Sequence, residues 1–373
     1  MSSLPRFDLF LPVEPGLEPL LHREVVALNL GQNVQAQTGG VSLSGTWDDI
    51  RRANLIVRGA QRVLVRAASF RAPHLAQLDK RARKVPWADL LRPGVSVHVE
   101  TTCKRSRIYH QKAASERIAG AIETIVQGAQ LVSEDADVVV KARIEDDLCT
   151  VSLDSTGEPL HRRGNKQFVG KAPMRETLAS LFLAACDYRS GEPVVDPMCG
   201  SGTFVLEAAE IAAGLAPGRN RSFAFEHWAM EQPAGWRSDV LGPPKVVERI
   251  AAFGFDRDDG AIRGSLGNAN RAGISDRVHF VRQAISDLEP PTDEPGLVIT
   301  NPPYGARIGN RKLLFALYGT LGRVLRDRFQ GWRVGIVTGD PGLAKATDLL
   351  FTRPPLTVPH GGIKVSLHFC DDL

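Results

Sequence analysis

The segment Thr300-Asn301-Pro302-Pro303-Tyr304-Gly305 carries the most specific chemistry in the chain. An exocyclic amine on a nucleobase is a poor nucleophile because its lone pair is delocalised into the ring. Two acceptors that grip its N–H hydrogens can turn the lone pair outward, and the Asn301 side-chain oxygen and the Pro302 carbonyl oxygen suit that role. Prolines fix φ and hold such acceptors in place, while Tyr304 offers a flat face to an unstacked base. We interpret Asn301, Pro302, Pro303 and Tyr304 as candidate catalytic residues.

A second segment, Asp196-Pro-Met-Cys-Gly-Ser-Gly-Thr-Phe204, combines a strand-end acid with a Gly-x-Gly turn. Gly200 and Gly202 can adopt positive φ without steric cost and let the backbone approach a ligand closely. The turn is therefore typical of a cofactor site at the end of a parallel strand. Val205 occupies the third glycine position of G-x-G-x-x-G, and no Gly-Lys-Ser/Thr follows, which argues against dinucleotide and P-loop sites.

Another acid, Asp256, ends the next predicted strand. A carboxylate there can accept hydrogen bonds from both hydroxyls of a ribose. Asp258 and Asp259 lie nearby, but they are better placed to act at the N-terminus of the following helix.

These residues need a sheet that brings several strand ends together, and the chain from Pro173 onward predicts one. Strands and helices alternate there at spacings that suit a parallel sheet. Pro173 is predicted in the first turn of a helix, and a short connection rich in Pro and Gly predicts that the last strand enters antiparallel. The predicted strands are Pro193–Asp196, Ile250–Asp256, Val278–Gln283, Gly296–Asn301, Arg333–Thr338 and Lys364–Phe369, and the helices are Met174–Asp187, Phe204–Ala213, Asp259–Ala272 and Lys312–Phe329.

An insertion from about Leu215 to Pro244 interrupts this alternation and contains Trp228 and Trp236. We interpret it as a surface excursion, with a loop over the active site as the alternative.

The N-terminal half predicts an α+β region. The predicted strands are Arg6–Val13, Val41–Leu43, Arg62–Ala68, Val95–Glu100, Val138–Ile144 and Leu148–Asp154, and the helices are Gly16–Asn29 and Ala113–Gln127. Thr46 is predicted to cap a further helix, with Trp47-Asp48-Asp49 in its first turn.

Positive charge concentrates before residue 176, although the net charge of the whole chain is only +4. Such runs indicate a surface that attracts phosphates without regard to sequence. The residues that we predict to bind RNA are Lys104, Arg105, Arg107, Lys112, Arg162, Arg163, Lys166 and Lys171.

Composition excludes several classes of protein. The five cysteines lack metal-ligand spacing, so we predict reduced thiols and no metal site. Cys103, Cys149, Cys186 and Cys370 are interpreted as small core residues. No apolar run could cross a bilayer and the first residues lack a signal-peptide core, which predicts a soluble, cytoplasmic protein without a membrane partner.

Taken together, the motifs resemble a known family. Asp196–Phe204 resembles motif I, and Asn301–Tyr304 motif IV, of class I amino-methyltransferases. The segments Leu160-His-Arg-Arg-Gly and Gly170-Lys-Ala-Pro-Met-Arg-Glu-Thr-Leu-Ala179 are similar to the junction before the catalytic domain in THUMP-containing RNA guanine-N2 methyltransferases, the group of RlmL and TrmN. Pro15-Gly-Leu-Glu18, Gly40-Val-Ser-Leu43 and Arg52-Ala-Asn-Leu55 resemble its N-terminal domain.

The resemblance implies a Rossmann-like α/β methyltransferase sheet after an α+β region with ferredoxin-like and THUMP domains, at residues 158–373, 1–70 and 71–157 respectively. It implies S-adenosylmethionine as cofactor and a guanine N2 amine in rRNA or tRNA as target, with rRNA favoured. The leaving group would be a neutral thioether, and the protonated product amine would lose its proton easily, so no strong general base is nominated. Gln283-Ala284 stands where many relatives carry an acid for the adenine amine, so a backbone N–H is the alternative contact. The implied cofactor residues are Pro173, Asp196, Met198, Cys199, Gly200, Ser201, Gly202, Thr203, Phe204, Asp256, Arg257 and Ala284.

Three alternatives stay open. Adenine-N6 methylation of RNA or DNA uses the same amine chemistry, and a non-catalytic RNA-binding factor could retain such a pocket. An NAD-linked dehydrogenase would fit the sheet pattern, but the glycine spacing disfavours it.

Overall fold

The computed structural model describes residues 5–170, 173–241, 251–305 and 311–373. These residues form two units. The first contains residues 5–13, His22–Leu160 and Arg221–Val240, and the second contains Glu14–Leu21, His161–Asn220 and the described residues from 241 onward.

The first unit is built on one eight-stranded sheet within the described residues, with the order β2-β3-β1-β4-β8-β7-β5-β6. Neighbouring strands are antiparallel except for the parallel pairs β5–β7 and β5–β6. The strands are β1 (Phe7–Pro12), β2 (Gln32–Gln37), β3 (Gly40–Gly45), β4 (Leu64–Arg71), β5 (Ser96–Lys104), β6 (Gln130–Leu131), β7 (Val138–Glu145) and β8 (Leu148–Asp154). Because β4 pairs with β8, the sheet runs unbroken through the whole N-terminal region.

Helices α1 (Glu18–Ala27), α2 (Trp47–Ile56), α3 (Leu75–Ala82), α4 (Trp87–Leu90) and α5 (Gln111–Ile125) belong to the N-terminal half of the chain. The predicted cap of α2 is confirmed. The Thr46 hydroxyl accepts a hydrogen bond from the Asp49 N–H, and the Asp49 carboxylate accepts one from the Thr46 N–H, which completes a capping box. Sequence analysis missed β2 because its side chains are almost all exposed and polar.

The second unit contains a seven-stranded sheet among the described residues, with the order β11-β10-β9-β12-β13-β15-β14. Its strands are β9 (Val194–Asp196), β10 (Ala252–Asp256), β11 (Val278–Arg282), β12 (Leu297–Thr300), β13 (Arg333–Thr338), β14 (Leu356–His360) and β15 (Ile363–Cys370). The first five strands in this order are parallel, and β15 runs antiparallel to β13. The predicted mostly parallel sheet with an antiparallel last strand is therefore confirmed.

Helices α6 (Glu176–Ala185), α7 (Thr203–Ala212), α9 (Asp259–Ala272), α10 (Arg311–Arg328) and α11 (Pro341–Ala346) accompany this sheet. The prediction that Pro173 opens a helix is wrong: α6 begins at Glu176 with Arg175 as its N-cap. The connection before β15 is itself a strand, β14, which forms a hairpin through Gly361 and Gly362, both at positive φ. Ile250, predicted to begin β10, lies outside the described residues.

The interpretation of the insertion as a surface excursion is wrong for residues 221–240. Residues 221–240, which include α8 up to Val240 (Trp236–Leu241), belong to the first unit. Trp228 is fully buried, and its ring centroid lies 5.9 Å from that of Trp47. Phe225 packs edge-on against Trp47 at 5.7 Å. The segment is thus part of a hydrophobic core.

Candidate active site

The candidate residues meet at one edge of the second sheet. Asp196 ends β9, Asp256 ends the neighbouring β10, and Asn301 directly follows β12 on the other side of β9. The strand order reverses between β9 and β12, and ligands of open α/β sheets bind beyond the carboxyl ends of the strands at that point. The topology therefore brings the glycine turn and the Asn-Pro-Pro-Tyr segment together.

The glycine turn requires glycine for two different reasons. Gly200 and Gly202 have φ of +54° and +79°, a region that other L-residues rarely adopt. A Cβ at Gly202 would also lie 2.8 Å from the Phe280 ring. A Cβ at Gly200 would meet no atom within 4 Å, so the backbone there borders open space that a ligand can fill.

Asp256 fixes the shape of this turn. Its Oδ2 accepts a hydrogen bond of 3.0 Å from the Gly200 N–H, and its Oδ1 accepts one of 2.9 Å from the Asp258 N–H. Asp258 in turn caps α9 through the Gly260 N–H, as its position in the sequence predicts. Each Asp256 oxygen keeps a second lone pair for a ligand hydroxyl.

Asp196 lies deeper. It is 2% exposed, and its Oδ1 accepts a hydrogen bond of 3.1 Å from the Met198 N–H. Burial raises the pKa of Asp196 to about 7, and the neighbouring Asp256 carboxylate acts in the same direction. Burial also raises the pKa of the Cys199 thiol, which keeps it protonated and unreactive.

A crevice of about 520 Å³ opens at these strand ends, within the range of roughly 300–1,000 Å³ usual for small-molecule sites. Four of the residues predicted to be catalytic or to bind the cofactor do not line the crevice: Gly202, Ala284, Pro302 and Tyr304. Gln283 and Ile285, the neighbours of Ala284, do. The predicted residues that line it are Pro173, Asp196, Met198, Cys199, Gly200, Ser201, Thr203, Phe204, Asp256, Arg257, Asn301 and Pro303.

A second, larger cavity of about 1050 Å³ adjoins the crevice. The two share Val169, Pro173 and Met174 as lining residues. Asn301 and Pro303 face the crevice, whereas Tyr304 lines the second cavity. The Asn-Pro-Pro-Tyr segment therefore lies where the two cavities meet.

The Tyr304 side chain is held firmly. The residue is 9% exposed, and a Cβ added to Gly339 would lie 3.2 Å from its ring, so the ring packs against that glycine. Burial raises the pKa of its phenol, which stays neutral at physiological pH. Pro302, in contrast, is buried and lines neither cavity.

Asn268, which was not predicted as a site residue, links the glycine turn to the segment before α6. Asn268 is fully buried in α9. Its Nδ2 donates to the carbonyl oxygens of Ser201 and Phe168, and its Oδ1 accepts from the N–H groups of Gln167 and Phe168. Asparagine disfavours helix interiors, so its position in the middle of a predicted helix was an available signal.

Two of the predicted RNA-binding residues are corrected. Arg163 is 4% exposed and pairs with the buried Glu207 at 3.2 Å, which leaves no charge at the surface for a phosphate. The Lys166 ammonium donates to the Thr203 hydroxyl at 2.8 Å and the Met174 carbonyl at 3.1 Å, and pairs with Glu176 at 3.1 Å. Its three donors are occupied, so it positions the crevice wall.

The basic cluster of the first unit is partly neutralised. Arg105 pairs with Glu145 at 2.8 Å and Asp146 at 3.0 Å, and Lys104 approaches Glu145 at 3.5 Å. Arg107 lies 3.8 Å from Asp147. These acids form the turn between β7 and β8, which the strand pairing brings beside the basic residues.

The remaining predicted RNA-binding residues are Lys112, Arg162 and Lys171. Lys112 and Arg162 are exposed, and Lys171 lies outside the described residues.

Within residues 5–170, 173–241, 251–305 and 311–373, no group of His, Cys, Asp or Glu side chains could hold a metal ion. Of the helices in these ranges, none has the length and apolar character needed to span a membrane.

Comparison with known proteins gives consistent matches. The family model described as "RMKL-like, methyltransferase domain" matches residues 163–353, and the one described as "RlmL ferredoxin-like domain" matches residues 8–64. A protein of Synechocystis named "Putative RNA methyltransferase slr0064" is 33% identical over 96% of this chain and 95% of its own length.

Two further matches extend this pattern. The ribosomal RNA large subunit methyltransferase K/L of Syntrophotalea carbinolica is 36% identical over 90% of this chain but only 50% of its own length, so the chain spans about half of that relative. The crystal structure of SMU.472, described as a putative methyltransferase complexed with SAH, superposes with a TM-score of 0.89 at 26% identity and covers 99% of this chain and 98% of that one.

Proposed function

Since the chain belongs to the RMKL-like methyltransferase family and is an RlmL-like RNA methyltransferase, we propose that it methylates the exocyclic N2 amine of a guanine in structured RNA. The favoured substrate is 23S rRNA, and tRNA is the alternative. The observation that carries the proposal is the position of Asn301–Tyr304 between a cofactor-sized crevice and a larger cavity. We further propose the domain limits 1–70, 71–157 and 158–373, except that residues 221–240 belong to the first unit.

The crevice fits S-adenosylmethionine, which supplies an electrophilic methyl group on a sulfonium. The open space beside Gly200 admits the methionine end close to the backbone. Asp256 would accept hydrogen bonds from the ribose hydroxyls through its remaining lone pairs. Gln283 and Ile285 bound the part of the crevice assigned to adenine. Asp196, buried beneath the turn, offers a carboxylate to the cationic end of the cofactor.

The chain's own residues then prepare the amine. The Asn301 side-chain oxygen and the Pro302 carbonyl oxygen accept its two N–H hydrogens, and this directs the nitrogen lone pair toward the crevice. Pro302 and Pro303 limit backbone rotation around these acceptors. The Tyr304 ring, fixed against Gly339, supports the face of a base turned out of its stack. The protonated product amine is acidic enough to lose its proton to water, so no side chain is required as a base.

A tritium-transfer assay tests the proposal. Purified protein is incubated with methyl-tritiated S-adenosylmethionine and, separately, with rRNA and tRNA from a strain that lacks the gene. Each RNA is then digested to nucleosides and separated. We expect label in N2-methylguanosine from rRNA. Label confined to N6-methyladenosine would contradict the base assignment, and label in tRNA alone would contradict the favoured substrate.

A further inference from the structure

We propose that His360 selects guanine over adenine by accepting a hydrogen bond from the guanine N1–H at its Nδ1 atom. The inference rests on the proposed function, because it assigns a substrate contact within the cavity that receives the target base. His360 ends β14 and lines that cavity together with Tyr304.

The hydrogen bonding of the His360 ring fixes its tautomer. Nε2 lies 3.1 Å from the backbone carbonyl oxygen of Pro173. A carbonyl oxygen can only accept, so Nε2 must carry the proton. In the neutral ring, Nδ1 is then left with a lone pair and acts as an acceptor.

Among the described residues, no group donates a hydrogen bond to the Nδ1 acceptor. The atom is buried. A buried polar atom left unpaired is unfavourable, so such atoms are uncommon unless a ligand satisfies them.

The surroundings keep the ring neutral. Burial lowers the pKa of His360, and the nearby cations of Arg175 and Lys166 act in the same direction, whereas the Pro173 carbonyl and the Glu14 carboxylate oppose them. Glu14 itself lies 3.7 Å from the Arg175 guanidinium, which reduces its influence on the imidazole. His360 therefore presents a lone pair rather than a second N–H.

The hairpin places His360 near the proposed base. His360 pairs with Ile363 across the Gly361-Gly362 turn, and Pro359 pairs with Lys364. A Cβ at Gly339 would lie 3.2 Å from both the Lys364 carbonyl oxygen and the Tyr304 ring. The ring that supports the base and the strand end that carries His360 are thus neighbours.

Guanine and adenine differ at the atom beside the reacting amine. Guanine carries N1–H next to its N2 amine, whereas adenine has a bare N1 lone pair next to its N6 amine. When Asn301 and Pro302 grip the amine, the adjacent ring nitrogen must face a neighbouring group. An acceptor at that position pairs with guanine and repels adenine, and a site built around one hydrogen bond strongly rejects an analogue that lacks it.

The test replaces the target guanosine, once mapped in the RNA, by 2,6-diaminopurine riboside in a ligated RNA. This base keeps the 2-amino group but has no proton on N1. We expect the wild-type enzyme to prefer guanosine in kcat/KM on the order of 100-fold. His360→Phe should reduce this preference to about 3-fold or less, and His360→Gln, which keeps one donor and one acceptor, should restore part of it.

The outcomes separate the two proposals. Failure to methylate guanosine in the unmodified RNA contradicts the proposed function. N2-methylation of guanosine together with equal methylation of diaminopurine by the wild type overturns the role of His360. So does a His360→Phe variant that loses activity on both bases by the same factor, because that result indicates only support of Pro173. Unchanged binding of S-adenosylhomocysteine and an unchanged Tm confirm that the variant is folded.

Discussion

At the scale of single residues, the proposed reaction depends on groups that are already in place before a substrate arrives. Asn301 follows directly from a buried strand, β12, and two prolines come after it, so its backbone has little freedom. Preorganised polar groups of this kind lower a barrier because they need no rearrangement during the reaction.

We expect Asn301→Ala to lower kcat by about 100-fold or more while S-adenosylhomocysteine binds within about threefold of the wild type. The variant removes one of the two proposed acceptors for the amine but leaves the glycine turn intact. Single-turnover methylation and calorimetric titration measure the two quantities. Asn301→Gln is the matched control, since it retains the amide but displaces it by one methylene, and it should also be slow. An Asn301→Ala enzyme with wild-type kcat would contradict the assigned role.

Asp196 gives a prediction about pH. Its folded-state pKa of about 7 is above that of an unfolded aspartate, so the folded protein binds the extra proton more tightly. Stability from this group is therefore present at low pH and is lost as the pH rises toward 7. Asp196→Asn should remove that loss. The free energy of unfolding of the variant, relative to that of the wild type, should therefore be about 1–3 kcal/mol higher above pH 7 than at pH 4.

Urea unfolding of both proteins between pH 4 and pH 8 measures this difference. The asparagine can still accept from the Met198 N–H, so the local geometry is preserved. Parallel stability curves for the two proteins would contradict the raised pKa of Asp196, because they would show that folding does not change its protonation.

At the scale of secondary-structure elements, the crevice depends on links between segments distant in sequence. Asn268 of α9 holds the carbonyl oxygen of Ser201, 67 residues away, and the backbone of Phe168, 100 residues away. The helix, the glycine turn and the segment before α6 thus form one unit of structure at the mouth of the crevice.

Asn268→Ala should lower the free energy of unfolding by about 2 kcal/mol, because it leaves several buried backbone groups without partners. It should also weaken the binding of S-adenosylhomocysteine, since the Ser201 backbone belongs to the glycine turn. Chemical unfolding and calorimetric titration give both values. Asn270→Ala is the control: it lies on the same helix but is exposed, and we expect little change. Equal effects of the two variants would refute the special role of Asn268.

The sequence predicted the site where local rules were sufficient. Parallel strands end at a common edge, so Asp196, Asp256 and Asn301 could be grouped without a structure. It did not reveal Asn268 or His360, because their partners are fixed only by tertiary contacts. It missed β14 because only one of its five residues, Val358, is buried, while two, including Pro359, are exposed.

At the scale of the whole molecule, the charge of a surface also depends on tertiary contacts that the sequence does not show. The sequence counted Lys104, Arg105 and Arg107 as one basic cluster, but the turn at Glu145-Asp146-Asp147 neutralises part of it. Nearly forty residues separate the two segments along the chain, and only the pairing of β5 with β7 brings them together. Net positive charge near a surface therefore cannot be read from local runs alone.

This arrangement predicts unequal effects on RNA binding. Lys112→Ala should weaken binding and reduce the slope of log affinity against log salt concentration by about 0.7–0.9, the loss of one phosphate contact. Arg105→Ala should change the slope much less, because its guanidinium already pairs with Glu145 and Asp146. Filter binding to rRNA fragments at several salt concentrations measures both. Equal slopes for the two variants would contradict this distribution of charge.

The burial of Trp228 against Trp47 has a consequence for how such a gene can be divided. A fragment that stops at residue 160 would leave the indole of Trp47 bare, and one that begins at residue 161 would carry Phe225, Trp228 and Trp236 with no core to enter. Both fragments would expose aromatic surface and aggregate. Recombination that joins residues 161–373 to a different N-terminal domain is therefore penalised, and the two halves are expected to be inherited as one piece.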